Sequence, residues 1–161
     1  MTTGGFTSEQ LTLEEQVLVL PHCTLKDAVE IGEIAIDIAR RESLPISVEV
    51  RLDAWTVFHT ALPGAKPEQT SWINRKARVV AATGHSTMLE RVRAEEDGVN
   101  WYELHGLSEE THAIHGGGLP LNVAGAGLAG ILLISGLPQV EDHLLGIRII
   151  TEFLARVGEN E

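Results

Sequence analysis

The sequence predicts a mixed α/β protein, a three-layer α-β-α sandwich in which helices cover both faces of a central antiparallel sheet. Three features carry that expectation. Ile46, Val48, Val50 and Leu52 alternate with Ser47, Glu49 and Arg51, and after Asp53-Ala54 the alternation resumes from Trp55 to Leu62, the pattern of a hairpin with one wet face. A second hairpin is expected from Leu119 to Val123 and Leu128 to Ser135 around Ala124-Gly125-Ala126, its later strand apolar enough to be buried on both faces. Helical periodicity precedes, separates and follows the hairpins, and strands that arrive as hairpins pair antiparallel.

A first short helix is expected at about Glu9 to Leu18, capped either by Thr12 with Glu15 or by Thr7 with Gln10, and stopped by Pro21. Thr24 caps a second helix whose apolar stripe is Ala28, Ile31, Ile34, Ala35 and Ile38, ending before Pro45. After the first hairpin, residues 63–67 form a loop, and Trp72, Ile73, Ala77 and Val80 place one stripe on a helix that Gly84 closes. Thr87 with Glu90 caps a further helix that Gly98 ends. Trp101 to Leu107 reads as a short strand, and Ser108-Glu109-Glu110 as the start of a one- or two-turn helix. A last amphipathic helix presents Val140, Leu144, Ile147, Thr151 and Leu154. With two hairpins and no repeat, the sandwich is of the profilin-like kind, in a single domain spanning 1–161 with its core at about 11–155.

Charge excludes some partners. With 23 Asp+Glu against 12 Lys+Arg, the net charge of -11 offers no basic footprint for phosphate backbones or anionic lipid, so neither nucleic acid nor membrane is expected. The longest apolar run, Val123 to Ile134, is glycine-rich and short of the ~20 residues of a spanning helix. The first cation is Lys26, after Glu9, Glu14 and Glu15, the wrong order for a signal peptide. Cys23 is the only cysteine, so no intrachain disulfide or thiolate metal cage forms, and a cytoplasmic protein is expected.

The candidate chemistry concentrates late in the chain. His115-Gly116-Gly117-Gly118 can bring bare backbone N–H groups and an imidazole to one ligand edge, since glycine permits close approach. Glu141, Asp142 and His143 open the last helix; consecutive helical residues diverge, so they cannot chelate one ion unaided, and no metal is assigned. Lys76 lies four residues from both Trp72 and Val80, beside the stripe that packs toward the sheet. Buried, it would lose charge and serve as a base or Schiff-base amine; alternatively it snorkels to water or pairs with an acid, and Arg75 beside it is surface charge. His59 reads as a satisfied sheet histidine, and Ser86 after His85 as a helix cap. Gly125-Ala126-Gly127-Leu128-Ala129-Gly130 has G-x-G-x-x-G spacing, but a strand rather than a helix follows it, so nucleotide binding is rejected. No G-x-S-x-G elbow, paired-histidine zinc helix or P-loop occurs.

Leu20-Pro21-His22, Phe58-His59-x-Ala61-Leu62-Pro63-Gly64, Trp72-Ile73-x-Arg75-Lys76, Gly84-His85-Ser86, His115-Gly116-Gly117-Gly118-Leu119-Pro120 and Ser135-Gly136-Leu137-Pro138-Gln139-x-Glu141-Asp142-His143 occur in an order shared with one family. From about Leu11 to Phe153 the chain resembles the bacterial and fungal branch of the haem-degrading-domain (GlcG/HbpS-like) superfamily, whose other branches look like GlcG and the haem-binding protein HbpS. The resemblance implies a profilin-like sandwich that assembles into homo-oligomers built from dimers. Haem is implied only through the HbpS branch, and the chain lacks a Cys-x-x-Cys-His attachment site. The motif positions to watch are Arg75, Lys76, His85, His115, Glu141, Asp142 and His143. The expected function is binding of a small ligand, haem or a small carboxylate, near the glycine loop at Gly116 and Gly117. The alternatives are an acid/base enzyme, as a lyase, isomerase or haem-degrading enzyme, and a non-enzymatic structural adaptor.

Overall fold

The structure, a computed structural model, describes residues 3–160. Its first helix, α1 (Ser8–Val17), starts at Thr7, whose Oγ1 accepts from the Gln10 N–H at 3.1 Å while Thr7 N–H donates to Gln10 Oε1 at 3.0 Å. The earlier of the two possible capping boxes therefore closes. Helix α2 (Leu25–Arg41) begins on the Thr24–Asp27 box and buries the whole stripe expected of it. Strands β1 (Ser47–Leu52) and β2 (Trp55–Ala61) form the first hairpin, with Asp53 at φ +52° in its turn. Helices α3 (Gln69–Thr83) and α4 (Thr87–Asp97) follow, each closed by a left-handed glycine, Gly84 and Gly98. Ser86 rather than Thr87 caps α4, accepting from Leu89 N–H at 3.1 Å.

The region after Gly98 departs from expectation. Trp101 to His105 is a helix, α5, not a strand, because Asn100 Oδ1 accepts from the N–H groups of Tyr102 and Glu103 and Gly106 ends the turn at φ +64°. Local capping overrides the strand propensity of Trp and Tyr. Ser108 to His112 makes a turn held by the Ser108 carbonyl instead of a helix.

Strands β3 (Gly118–Val123) and β4 (Gly127–Ser135) complete a four-stranded antiparallel sheet in the order β2-β1-β4-β3. Residues of β4 alternate between two cores, which explains its unbroken apolar run. Leu132 and Ile134 join Val48, Val50 and the apolar faces of α2 and of the last helix, α6 (Gln139–Asn160). Ile131 and Leu133 pack on Ile73, Ala77 and Val80 of α3 on the opposite face. Gly125 and Gly127 take positive φ in the β3–β4 turn, and Gly130 approaches the Arg51 carbonyl so closely that a Cβ there would lie 2.3 Å from it. These glycines serve the hairpin.

The buried face of α6 is rotated from the expected one. It consists of Asp142, His143, Leu145, Gly146, Ile149, Ile150 and Phe153, whereas Leu144 and Thr151 are exposed. Gly146 sets the rotation: a Cβ there would meet Leu119 Cδ1 at 2.3 Å, so only a bare backbone lets the helix sit on β3.

Candidate functional site

Beyond Ser135 the sheet ends, and the chain turns at Gly136 (φ +141°) and Pro138 into α6. An open cleft of about 240 Å³ lies there, lined in part by Lys66, Trp72, Lys76, His115, Gln139 and Asp142, with Gln69 and Ser135 in its wall. Lys76 from α3 and Asp142 from α6 form its floor. They are 3% and 2% exposed. The Lys76 Nζ donates to the Ile134 carbonyl at 2.8 Å and lies 3.4 Å from Asp142 Oδ2, while Asp142 Oδ1 accepts from Leu137 N–H at 3.1 Å.

Burial acts on both members of this pair. It holds the Lys76 ammonium below the usual lysine range, opposed by the neighbouring Asp142 charge. It pushes Asp142 up to about 6, against the pull of Lys76 and of the Leu137 and Gly136 N–H groups. Taking both charges out of water costs several kcal/mol each, and a single 3.4 Å contact does not recover it fully, so both groups are displaced toward their neutral forms.

His115 forms the side wall, its ring edge-on to Trp72 at 4.6 Å between centroids. Its Nδ1 is buried with no partner among the described residues. Burial, then the cations Arg91, Lys76 and Arg75, push its pKa down to about 4, so the ring is neutral at pH 7. Arg75 stacks on Trp72 at 4.5 Å and its Nε donates to the Glu109 carbonyl at 2.9 Å; it supports the wall from behind and does not line the cleft.

The glycine loop works differently from the expectation of bare amides. Gly116 N–H donates to Gln139 Oε1 at 3.1 Å and Gly118 N–H to Thr87 Oγ1 at 3.1 Å, so both are engaged within the fold. Close approach is the reason for glycine: at Gly117, with φ +123°, a Cβ would lie 2.3 Å from the Ile134 carbonyl and 2.8 Å from Lys76 Nζ. A side chain there would displace the amine.

The remaining expected positions lie elsewhere. Glu141 lines a separate open depression of about 310 Å³ with Glu42, Arg148 and Leu144. His143 is fully buried toward α1, its Nε2 2.8 Å from Glu14 Oε1, and His85 Nδ1 lies 2.8 Å from Glu15 Oε2, which also accepts from Ser86 N–H through Oε1. These two histidines bind α1 to the body of the molecule. The carboxylates accept, which places the His143 ring proton on Nε2. His59 Nδ1 lies 2.9 Å from Glu49 Oε1, whereas Nδ1 of His143 is buried with no partner among the described residues. No group of three or more His, Cys, Asp or Glu able to hold a metal ion occurs among the described residues. Sequence reasoning missed Lys66, Glu68, Gln69, Trp72, Ser135 and Gln139 as cleft residues; Trp72 lies in the Trp72–Lys76 motif and Ser135 and Gln139 in the Ser135–His143 motif, whereas Lys66, Glu68 and Gln69 carried no signal.

Fold and cleft together define a class: an α/β sandwich with an antiparallel sheet and a polar cleft at the sheet's end, floored by a buried lysine. Within that class, the model for haem-degrading proteins of the HbpS-like type matches residues 23–150, and this chain belongs to that HbpS-like family. A UPF0303 protein of Streptomyces avermitilis is 40% identical over 150 residues, covering 93% of this chain and 92% of the relative. Among solved structures, the Ybr137w protein superposes with a TM-score of 0.88 at 23% identity, over 97% of this chain and 92% of that one. The PduOC chain of a haem complex gives a TM-score of 0.68 at 20% identity, over 80% and 93%. At these identities the two structures establish the shared fold.

Proposed function

We propose that this protein binds a short-chain carboxylate in the Lys76–Asp142 cleft and acts as a homo-oligomer in the cytoplasm. One observation carries the reading: a cleft of small-molecule size whose floor holds a desolvated amine and whose rim carries two exposed charges, Lys66 and Glu68, of which Lys66 is the one that can meet an anion. An anionic head group meets Lys66 in solvent, while Trp72 and His115 offer an apolar wall to the rest of the molecule.

Haem enters through the family description and through the haem complex of PduOC. The residues here do not fit it as an enclosed cofactor. The volume of about 240 Å³ falls below the ~300–1,000 Å³ that encloses drug-sized ligands, and a porphyrin exceeds most of those. The one histidine in the cleft is braced edge-on against Trp72.

Self-association is proposed on the outward face of α1, where Leu13 and Val17, one turn apart, are 59% and 67% exposed, a surface suited to a second copy of the chain. Light scattering on Leu13→Ser checks it, with an unchanged mass as the contrary result.

Isothermal titration with lactate tests the cleft. Saturable heat is expected, weakened about 1.4- to fivefold in Lys66→Ala, the worth of one exposed charge pair at ~0.2–1 kcal/mol. Absence of heat with lactate and other short carboxylates overturns the reading.

A further inference from the structure

We propose that the ligand carries a carbonyl as well as a carboxylate, a 2-oxo acid, and that Lys76 Nζ forms a Schiff base with it. The inference rests on the cleft being the ligand site. Three geometric facts lead to it. Lys76 is the buried member of the chain's three lysines, with Lys26 and Lys66 both exposed. Its Nζ is fixed by the Ile134 carbonyl at 2.8 Å on the floor of a cleft open to solvent, and Gly117 leaves room for it there, since a Cβ at that position would lie 2.8 Å from Nζ. A carboxyl group, Asp142, sits 3.4 Å from the amine, close enough to exchange a proton with it and buried enough to hold one.

The step balances within the pair. One proton moves from the Lys76 ammonium to the Asp142 carboxylate, leaving a neutral amine and a carboxylic acid. The amine lone pair attacks the carbonyl carbon, forming a C–N bond, and the C=O π pair moves to oxygen, which takes a proton released from the nitrogen. Asp142 then donates its proton to the carbinolamine hydroxyl. Water leaves, the remaining nitrogen lone pair makes the C=N bond, and an iminium stands beside the Asp142 carboxylate. The ion pair that began the sequence is restored, with the iminium in place of the ammonium. Burial favours the neutral amine that initiates attack, the condition an exposed lysine at pH 7 does not meet. Lys66 at the rim is placed to hold the carboxylate end.

The test uses the full chain, pyruvate, and sodium cyanoborohydride, which reduces an iminium to a stable secondary amine, followed by peptide mass mapping at pH 7. The carboxyethyl adduct is expected on Lys76 at least about tenfold faster than on Lys66 or Lys26, because an exposed lysine of pKa near 10.4 is almost wholly protonated. Asp142→Asn is expected to slow the Lys76 adduct while leaving the Lys66 rate unchanged. Lys66 or Lys26 reacting as fast as Lys76 overturns the proposal, whether or not the variant folds. Lactate, which has the carboxylate but no carbonyl, separates the two readings. Lactate that binds and slows the Lys76 adduct supports both. Lactate and pyruvate that bind without any Lys76 adduct sink the Schiff base and leave the cleft. Neither acid binding, with no adduct, sinks both.

Discussion

Replacing Lys76 by Met removes the cation from a buried ion pair while keeping most of the side-chain volume. Asp142 is then left 2% exposed with its Leu137 N–H partner and no counter-charge. Breaking a buried pair from one side costs about 3–5 kcal/mol, roughly a fifth or more of a typical domain's ~5–15 kcal/mol. For a chain of this length that lowers Tm by roughly 6–20 °C. The loss has a pH signature. Asp142 has a folded pKa of about 6 against an ordinary 3.8, and loss of the ammonium raises the folded value further. The folded state therefore holds the proton more tightly, so stability falls as pH climbs through that window and returns on acidification. Urea unfolding followed by tryptophan fluorescence at a series of pH values checks this. The deficit of Lys76→Met should be largest above pH 6 and shrink toward pH 4. The double variant Lys76→Met/Asp142→Leu should recover most of it, since a matched apolar pair carries no stranded charge. A deficit below about 1 kcal/mol at pH 7, or one that grows on acidification, refutes the buried-pair argument.

Gly117→Ala should cost about 2–5 kcal/mol through the positive φ and the contact with the Ile134 carbonyl, against about 1 kcal/mol for Gly125→Ala, where φ is also positive but nothing lies within 4 Å; equal losses by denaturant titration would remove the steric account. Glu14→Ala strands the Nε2 of fully buried His143 and should cost about 1.5–3 kcal/mol, with Glu14→Gln nearer wild type because its amide oxygen still accepts. His115, with a folded pKa of about 4 against 6.5, is protonated first in the unfolded chain, so its contribution is lost as pH falls from 6.5 through 4. After discounting for the ring's partial exposure the loss is about 1–2 kcal/mol. Asp142 changes stability in the opposite sense over an overlapping window, so the measurement is the difference between wild type and His115→Phe at pH 7 and pH 4; parallel behaviour of the two proteins would dismiss it.

Both hairpins and most helices were legible because their signals are local. The β1 alternation, the Asp53-Ala54 turn and the Gly84 and Gly98 stops each depend on a few adjacent residues. Where two local signals competed, the reading went astray. Trp101-Tyr102 favours a strand, but the Asn100 cap and Gly106 close a turn of helix around it. On α6 two apolar stripes interleave, Leu144 beside Leu145 and Ile147 beside Ile149 and Ile150, and periodicity alone allows either to face inward. Gly146 breaks the tie through its contact with Leu119, a fact visible only once β3 is in place. The site was legible as a list and not as a geometry. Lys76 and Asp142 are 66 residues apart, and nothing local pairs them. The Gln139 and Thr87 side chains that take up the loop amides lie 23 and 31 residues from the glycines they satisfy.

The position of the cleft follows from the layering. Lys76 belongs to α3, on the face of the sheet that carries Ile131 and Leu133, and Asp142 to α6, on the face that carries Leu132 and Ile134. Along the length of β4 the sheet keeps those layers apart. Only past Ser135, where the ladder ends and Gly136 turns the chain, can side chains from the two layers meet. Neither charge is stable there alone, because an isolated buried ammonium or carboxylate costs several kcal/mol. The pair therefore requires both layers to be docked, and the Gly117 bend is the point at which their approach is permitted: Ile134 N–H donates to the Gly117 carbonyl at 2.8 Å, and Ile134's own carbonyl receives Lys76. A cleft made this way has a floor that rests on two helices and a strand end and an open rim that carries Lys66 and Glu68. That division suits a site in which a fixed amine meets a small molecule arriving from solvent.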